Sequence, residues 1–132
     1  MAITGIGVDL VDIARFEQQL AKTPGLTERL FAPAELSGEA ALKPATLAGK
    51  FAAKEAFIKA LGNGAGLNWH DLRVVKNAAG KPFFELSGDT AAASANAGVS
   101  RWHVSISHDG GMAIAYAIAE SDEIYQQGGA HA

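Results

Sequence analysis

The middle of the chain is the stretch that most constrains the fold. From residue 48 to residue 62 it reads AGKFAAKEAFIKALG, which is rich in the helix-forming residues Ala, Leu, Lys and Glu. Pro44 suits the first turn of such a helix, and Gly62 suits the left-handed residue at which a helix ends. Apolar residues recur there at helical spacing, namely Leu47, Phe51, Ile58 and Leu61. The sequence therefore predicts one long helix with a buried apolar stripe.

The same helix carries a cluster of charges. Glu55 and Lys59 are one turn apart on one face, Lys54 borders that face, and Lys50 precedes Lys54 by one turn. One interpretation is a cradle for a phosphate group with its metal ion. The other is a solvated face with an ordinary ion pair within the helix.

The N-terminal stretch from 3 to 10 reads ITGIGVDL, in which apolar residues alternate with Gly and Asp. This pattern predicts a strand with one apolar face. Gly5 and Gly7 leave the other face bare, so that a neighbour or a ligand can approach the backbone. Asp9 follows on the bare face, where it is a candidate metal ligand. The alternative is that Asp9 caps the next helix, a role for which Asp12 is better placed.

Composition bounds the class of protein. The 132 residues suit one domain, which we place at 1–120, followed by a polar tail at 121–132. The formal net charge of −3 argues against a general nucleic-acid binder, and the absence of Cys excludes disulfides and thiolate sites. No apolar run approaches membrane-spanning length, and the chain does not begin like a secretory signal. We expect a cytoplasmic protein that does not enter a membrane.

The remaining elements complete the fold class. We predict a helix from Asp12 to Thr23, short helical pieces between 26 and 38, a flexible connector at 63–66, a hairpin of strands at 72–76 and 82–86, an alanine-rich helix ending near Gly98, and a second hairpin of strands at 101–107 and 112–119. Neighbouring strands joined by short turns favour antiparallel pairing. The expected fold is α+β, with an antiparallel sheet packed by a long central helix and shorter helices.

Other candidate residues lie outside the central helix. Asp9 and Glu55, on separate elements, form the kind of carboxylate pair that suits Mg²⁺. His108 is a candidate phosphate donor or proton carrier, or simply an exposed turn residue. Ser107, His108 and Asp109 are consecutive, so we do not interpret them as a hydrolytic triad. Arg15 and Lys22 lie two turns apart on one outward face, which could dock an acidic partner or be solvated.

Three motifs in order carry a resemblance to a known family. They are Gly5-Ile6-Gly7-Val8-Asp9, then Phe51-Ala52-Ala53-Lys54-Glu55-Ala56 with Lys59-Ala60-Leu61-Gly62, and finally Ser105-Ile106-Ser107-His108. Over residues 3–119 the chain resembles the holo-[acyl-carrier-protein] synthases, the small type of 4′-phosphopantetheinyl transferase. The resemblance implies transfer of the 4′-phosphopantetheine arm of coenzyme A to a serine of apo acyl carrier protein, with release of adenosine 3′,5′-bisphosphate, for fatty acid or related synthesis.

The resemblance also implies residue roles. Asp9 and Glu55 would hold Mg²⁺, and Lys59 would contact the pyrophosphate or the attacking group. Contacts with coenzyme A would come from Lys50, Lys54, Lys59, Ser107 and His108, and the catalytic set would be Glu55, Lys59 and His108. Lys50 stands where the family usually has arginine. The lysine keeps the positive charge but lacks the bidentate fork of a guanidinium group. A water held by the metal, Glu55, Asp9 and His108 all remain candidates for the base that accepts the serine proton.

Family members of this type assemble as homotrimers with active sites between subunits. The resemblance thus implies that Ser107 and His108 reach a site whose Asp9 and Glu55 belong to a neighbouring chain, and that apolar strands at 102–106 and 112–118 supply the interface. Arg15 and Lys22 would dock the acidic carrier protein. Two other functions stay open, an Mg²⁺-dependent hydrolase of coenzyme A or a nucleotide, and a binding module without catalysis.

Overall fold

The computed structural model describes residues 1–62 and 67–122. In chain order its strands and helices are β1 (Ala2–Asp12), α1 (Ile13–Lys22), α2 (Leu26–Leu30), α3 (Pro44–Leu61), β2 (Leu72–Lys76), β3 (Pro82–Leu86), α4 (Gly88–Asn96), β4 (Arg101–Asp109) and β5 (Met112–Ser121). Short 3₁₀ turns occupy 33–36, 40–42 and 69–71. The connector expected at 63–66 lies outside the described residues. Of the tail expected at 121–132, the part from 123 onward also lies outside them, and Ser121 belongs to β5. Within the described ranges, no helix is long and apolar enough to cross a membrane.

The strands form two separate antiparallel sheets. One contains β1, β5 and β4 in that spatial order, and the other is the hairpin of β2 and β3. Helix α3 lies across one face of the larger sheet, which we call the inner face, and touches all three of its strands. The predicted α+β class is confirmed, with the difference that the hairpin at 72–86 does not join the main sheet.

Small residues let α3 approach the sheet closely. A Cβ atom on Gly5 or Gly7 would overlap the carbonyl oxygens of Ala60 and Ala56 in α3. The inner face of β5 is equally small, because it consists of Ala113, Ala115, Ala117 and Ala119, all of them buried. The neighbour expected at the glycine face of β1 is therefore α3 itself. This tight contact fixes Asp9, on the same face of β1, beside the second half of the helix.

The buried surface of α3 is wider than a stripe. Leu47 is buried as expected, but Phe51, Ile58 and Leu61 are only partly so, whereas Phe57 is fully buried. Phe57 stacks on Trp102 of β4 with ring centroids 3.9 Å apart and meets Phe84 of β3 edge-on. The larger sheet covers one side of the helix and the hairpin another, so burial extends around most of its circumference. The predicted stripe was too narrow for this reason.

The ends of the helices follow local chemistry. The Asp12 side chain accepts a hydrogen bond from the Arg15 backbone N–H at 2.9 Å and caps α1, as the sequence predicted. Pro44 occupies the first turn of α3, and Gly62 ends it with a φ of 84°, in the left-handed region. Both predicted boundaries of the central helix are confirmed.

The outer face of the larger sheet is apolar and exposed. Ile6, Val8 and Leu10 of β1 are 63%, 41% and 58% exposed, and Tyr116 of β5 is 49% exposed. These residues alternate with the ones that pack on α3. The apolar face predicted for β1 therefore exists, but it points away from the core.

Candidate active site

Two carboxylates from separate elements come together at one end of the inner face. Asp9 of β1 and Glu55 of α3 line a common surface cavity of about 220 Å³, and Arg15 of α1 lines it as well. Lys59, one turn beyond Glu55, donates to Asp9 Oδ1 at 3.0 Å and to the Val8 carbonyl at 3.0 Å. Lys59 thus links the helix to the strand, and its ion pair is with Asp9 of β1 and not with Glu55 of α3.

The surroundings of Glu55 disfavour its charge. Burial raises the pKa of the Glu55 carboxyl above its ordinary value of 4.5, and the neighbouring charge of Asp9 raises the pKa further. The Lys59 ammonium acts in the opposite direction but is the smallest of the three influences on that pKa. A second positive charge between the two carboxylates would relieve the repulsion.

The donor set fits Mg²⁺. In residues 1–62 and 67–122, no group of three or more Asp, Glu, His or Cys side chains could hold a metal ion. Two carboxylates nevertheless suffice for Mg²⁺, which commonly takes one or two protein carboxylates and completes its shell with water and substrate phosphates. The arrangement favours an ion that is shared between protein and a phosphorylated substrate.

A second cavity lies between the first half of α3, the β2–β3 hairpin and the end of β4. It measures about 240 Å³, and its polar lining includes Lys50, Lys76, Thr46 and His108. Burial lowers the pKa of the Lys50 ammonium from 10.5, Glu35 raises it, and the charge of Lys76 lowers it again. The two lysines therefore give the cavity a positive potential that suits an anionic group. Sequence reasoning missed Lys76 and Thr46, because only the packed hairpin shows that Lys76 faces Lys50.

His108 is held against the helix. Its Nε2 lies 2.8 Å from the Ala45 carbonyl oxygen, so this nitrogen carries a proton and donates. Gly49 makes the approach feasible, because a Cβ there would lie 2.8 Å from the same nitrogen. The imidazole consequently offers only Nδ1 to a ligand in the cavity.

The two basic residues of α1 are both exposed. Arg15 borders the carboxylate cavity, while Lys22 lies at the last position of the helix, about two turns away. An acidic partner that docks along α1 would therefore reach the carboxylates.

Comparison with known proteins decides the family. A sequence profile described as the 4′-phosphopantetheinyl transferase superfamily matches residues 5–117. The chain belongs to that superfamily. It is 51% identical over 120 residues to the holo-[acyl-carrier-protein] synthase of Clavibacter sepedonicus, covering 91% of this chain and 98% of the relative. The corresponding protein of Frankia alni is 48% identical over 121 residues, 92% of this chain and all of the relative.

Solved structures of the superfamily agree with this assignment. The holo-[acyl-carrier-protein] synthase of Neisseria meningitidis superposes with a TM-score of 0.83 at 33% identity, covering 91% of this chain and 100% of the other. A complex of the Chronobacterium ammoniagenes synthase with coenzyme A gives a TM-score of 0.80 at 30% identity, with 93% and 100% covered. The expected family, and with it the transferase class, is confirmed.

The structure does not favour every contact that the phosphopantetheinyl transferase resemblance implied. Lys54 is fully buried, and its ammonium donates to Glu35 Oε1, the Leu30 carbonyl and the Trp69 carbonyl at 2.7, 2.7 and 3.0 Å. These three acceptors use all its N–H groups, so the expected contact between Lys54 and coenzyme A has neither a free donor nor exposed surface. The partner Glu35 was not among the sequence candidates.

Ser107 and His108 point to opposite faces of β4. Ser107 lies on the exposed outer face with Ser105, as the strand alternation predicted, whereas His108 lines the cavity on the other side. Within one chain the structure therefore brings His108 to Lys50 but leaves Ser107 on the apolar outer face. The expected contact of Ser107 with coenzyme A stays a prediction.

Proposed function

We propose that this protein transfers the 4′-phosphopantetheine arm of coenzyme A to a serine of apo acyl carrier protein in an Mg²⁺-dependent reaction. The observation that carries the proposal is the meeting of Asp9, Glu55 and Lys59 where β1 crosses α3. Two carboxylates and an ammonium suit a diphosphate with its metal ion. The membership of the superfamily and the relatives' names supply the acceptor.

In the proposed step, the serine oxygen attacks the phosphorus that carries the pantetheine arm. The bond from this phosphorus to the bridging oxygen of the diphosphate breaks, and adenosine 3′,5′-bisphosphate leaves with that oxygen. The serine proton passes to a base. Positioning and neutralisation of charge do most of the work in phosphoryl transfer of this kind.

Asp9 and Glu55 would hold Mg²⁺, which when bound neutralises charge on the diphosphate oxygens. Lys59 holds the Asp9 carboxylate in place and is itself about half exposed, so it can also reach a phosphate oxygen. Lys50 and His108, with Lys76 beside them, would bind a further anionic group of coenzyme A in the second cavity.

The identity of the base is part of the proposal. The candidates in this chain are Asp9 and Glu55 at the carboxylate cavity, and the raised pKa of Glu55 does not select between them, because it applies only while no metal ion is bound there. His108 is less suited, since its Nε2 already donates to Ala45 and it lines the other cavity. We therefore assign His108 to substrate binding.

The carrier protein would dock along α1. Arg15 borders the carboxylates and Lys22 lies farther along the same helix, so an acidic carrier surface that meets both would present its serine to the diphosphate. Contacts of this kind chiefly raise the association rate and select the partner.

The complete site would form between copies of the chain in a homotrimer. Lys50 and Glu55 lie about 140° apart around the axis of α3 by helix geometry, so one chain presents its cavity and its carboxylates in different directions. The exposed outer face of the larger sheet offers the apolar area for association through Val8, Leu10 and Tyr116. A neighbouring chain can then complete each site.

The test is the intact mass of an apo acyl carrier protein after incubation with this protein, coenzyme A and Mg²⁺. We expect a gain of one phosphopantetheine arm that is lost when Mg²⁺ is chelated and in the Glu55→Gln variant. The matched control is Glu39→Gln, which should keep full activity. Glu39 is an exposed glutamate that directly precedes the 40–42 turn.

Two outcomes would replace this proposal. Cleavage of coenzyme A without modification of the carrier would favour the hydrolase, and binding without any turnover would favour the binding module.

A Val8→Lys variant tests the assembly, since we expect it to lower both the mass in solution and the transfer rate. The cytoplasmic location expected from the sequence stays a prediction.

A further inference from the structure

The buried residues Glu35 and Lys54 form the most elaborate polar network in the described part of the chain that the proposed chemistry does not use. Both side chains have no exposed surface, and their charged atoms lie 2.7 Å apart. Ion pairs without solvent contact are costly to form and often give little net stability. A pair of this kind invites a search for a role other than stability.

The pair ties five segments together. Lys54 of α3 donates to Leu30 at the end of α2 and to Trp69 in the turn that precedes β2. Glu35, in the 33–36 turn, accepts from the Ala32 backbone N–H and from the Val74 backbone N–H of β2, both at 2.9 Å. The rotation of α3 about its own axis is thereby fixed relative to β2.

Both substrate-facing parts of α3 depend on that rotation. One turn before Lys54, Lys50 donates to the backbone carbonyl of Glu35 at 2.7 Å and lines the second cavity opposite Lys76 of β2. The residue after Lys54 is Glu55, which reaches the carboxylate cavity on another side of the helix. A rotation or slip of α3 would move Lys50 and Glu55 together.

We propose that Glu35 and Lys54 are positioning residues for the transfer reaction, which set the orientation of α3 so that Lys50 meets coenzyme A while Glu55 meets the metal ion. The inference rests on the proposed function. It predicts that loss of the pair damages both parts of the site in a protein that still folds, although neither residue touches a substrate.

The decisive variant is the double substitution Glu35→Gln with Lys54→Met. It nearly keeps the side-chain volumes and removes both charges together, so no unpaired buried charge remains. The introduced amide can accept only one of the two backbone N–H bonds that the Glu35 oxygens accept from Ala32 and Val74, so we expect some loss of stability as well. The matched control is Leu86→Ala on β3, which truncates a partly buried apolar side chain packed against the core and removes no polar group. All proteins are compared at a temperature where circular dichroism shows each of them fully folded.

The readouts are kcat, the KM for coenzyme A and the Mg²⁺ concentration that gives half the maximal rate. For the double variant we expect KM and the half-saturating Mg²⁺ to rise together, with kcat lower by about tenfold or more, because small misplacements are costly in positioned chemistry. The Leu86→Ala control should melt earlier with all three quantities unchanged. If the double variant also melts earlier but keeps wild-type kinetics, the pair is merely structural and the proposal is overturned.

A failure of the proposed function would look different. If the wild-type protein modifies no carrier, calorimetric titrations of coenzyme A and of Mg²⁺ into the same proteins replace the kinetics. Weaker binding of both ligands to the double variant than to Leu86→Ala supports the positioning role, and equal binding overturns it.

Discussion

Helix α3 carries two ion pairs of the same chemistry in opposite environments. Lys54 meets Glu35 at 2.7 Å with both side chains wholly buried, whereas five residues later Lys59 meets Asp9 at 3.0 Å with the two side chains 54% and 18% exposed. The buried pair uses every N–H of its lysine on protein acceptors. The exposed pair leaves surface on both partners.

The two environments suit two different roles, a structural role for the buried pair and a role in substrate binding for the exposed pair. A buried charge with all its hydrogen bonds made cannot exchange partners without a large cost, so it holds segments in place. An exposed pair contributes little to stability but can open to admit a phosphate or a metal ion. Substitutions at the two pairs should therefore differ in kind, with the largest loss of stability at the buried pair.

Replacement of Lys54 should damage folding. Lys54→Met leaves the Glu35 carboxylate buried without its counter-charge, which costs roughly 3 to 5 kcal/mol. Denaturant unfolding at a fixed protein concentration measures the loss, and the matched change is Lys59→Met, which should cost about 1 kcal/mol or less. Similar losses for the two variants would contradict the division between the pairs.

Replacement of Lys59 should instead damage transfer. We expect Lys59→Met to lower kcat/KM by about tenfold to a hundredfold, equivalent to roughly 1.4 to 2.7 kcal/mol of transition-state stabilisation, while it stays folded. The rate of mass gain on the carrier measures this effect, and Lys59→Arg should retain part of the activity because it keeps the charge. Wild-type kinetics in Lys59→Met would remove this residue from the proposed site.

The sequence predicted neither ion pair, but it identified more of the residues around the exposed one. The motifs around Asp9 and Glu55 identified both carboxylates, and the bare glycine face of β1 placed Asp9 correctly against a neighbour. The contact of Lys54 with coenzyme A came from the family resemblance, and nothing in the local sequence distinguishes a buried lysine from an exposed one. The burial of Lys54 depends on Glu35, nineteen positions earlier, and on the Trp69 carbonyl, which only the folded chain brings together.

The same limit applies to the faces of the sheet. Alternation in β1 and β4 correctly sorted residues into two sets, and Ser107 was correctly placed opposite the inward residues Val104 and Ile106. Alternation alone does not reveal which set meets the core. The apolar residues of β1 turned out to face outward because the glycines were needed for contact with α3.

Docking of the carrier protein should depend on exposed charges and not on the buried ion pair. We expect Arg15→Ala to raise the KM for the carrier protein severalfold, on the order of 1 kcal/mol, with kcat and the melting temperature unchanged. The effect should shrink as salt is added, because exposed charges are screened. Lys43→Ala, an exposed lysine that precedes α3, is the control. A KM that ignores both Arg15 and salt would place the carrier elsewhere.

Lys50 is intermediate in burial between Lys54 and Lys59, so it should give the smallest effect. Its ammonium is half-buried, and burial lowers its pKa in the folded protein below 10.5 despite the opposing effect of Glu35. Between the folded and the unfolded pKa the unfolded chain binds more protons, so the contribution of Lys50 to stability rises as pH increases through that alkaline window. The stability difference between wild type and Lys50→Met should therefore shift in favour of wild type as pH approaches 10.5.

Bound coenzyme A should flatten this dependence, since its anionic groups raise the pKa of Lys50 back toward 10.5. Denaturant unfolding of both proteins across the alkaline range, with and without coenzyme A, measures the effect. A difference that stays constant with pH would mean that the folded protein does not desolvate Lys50. A dependence that coenzyme A leaves unchanged would remove Lys50 from the proposed binding place of the anion.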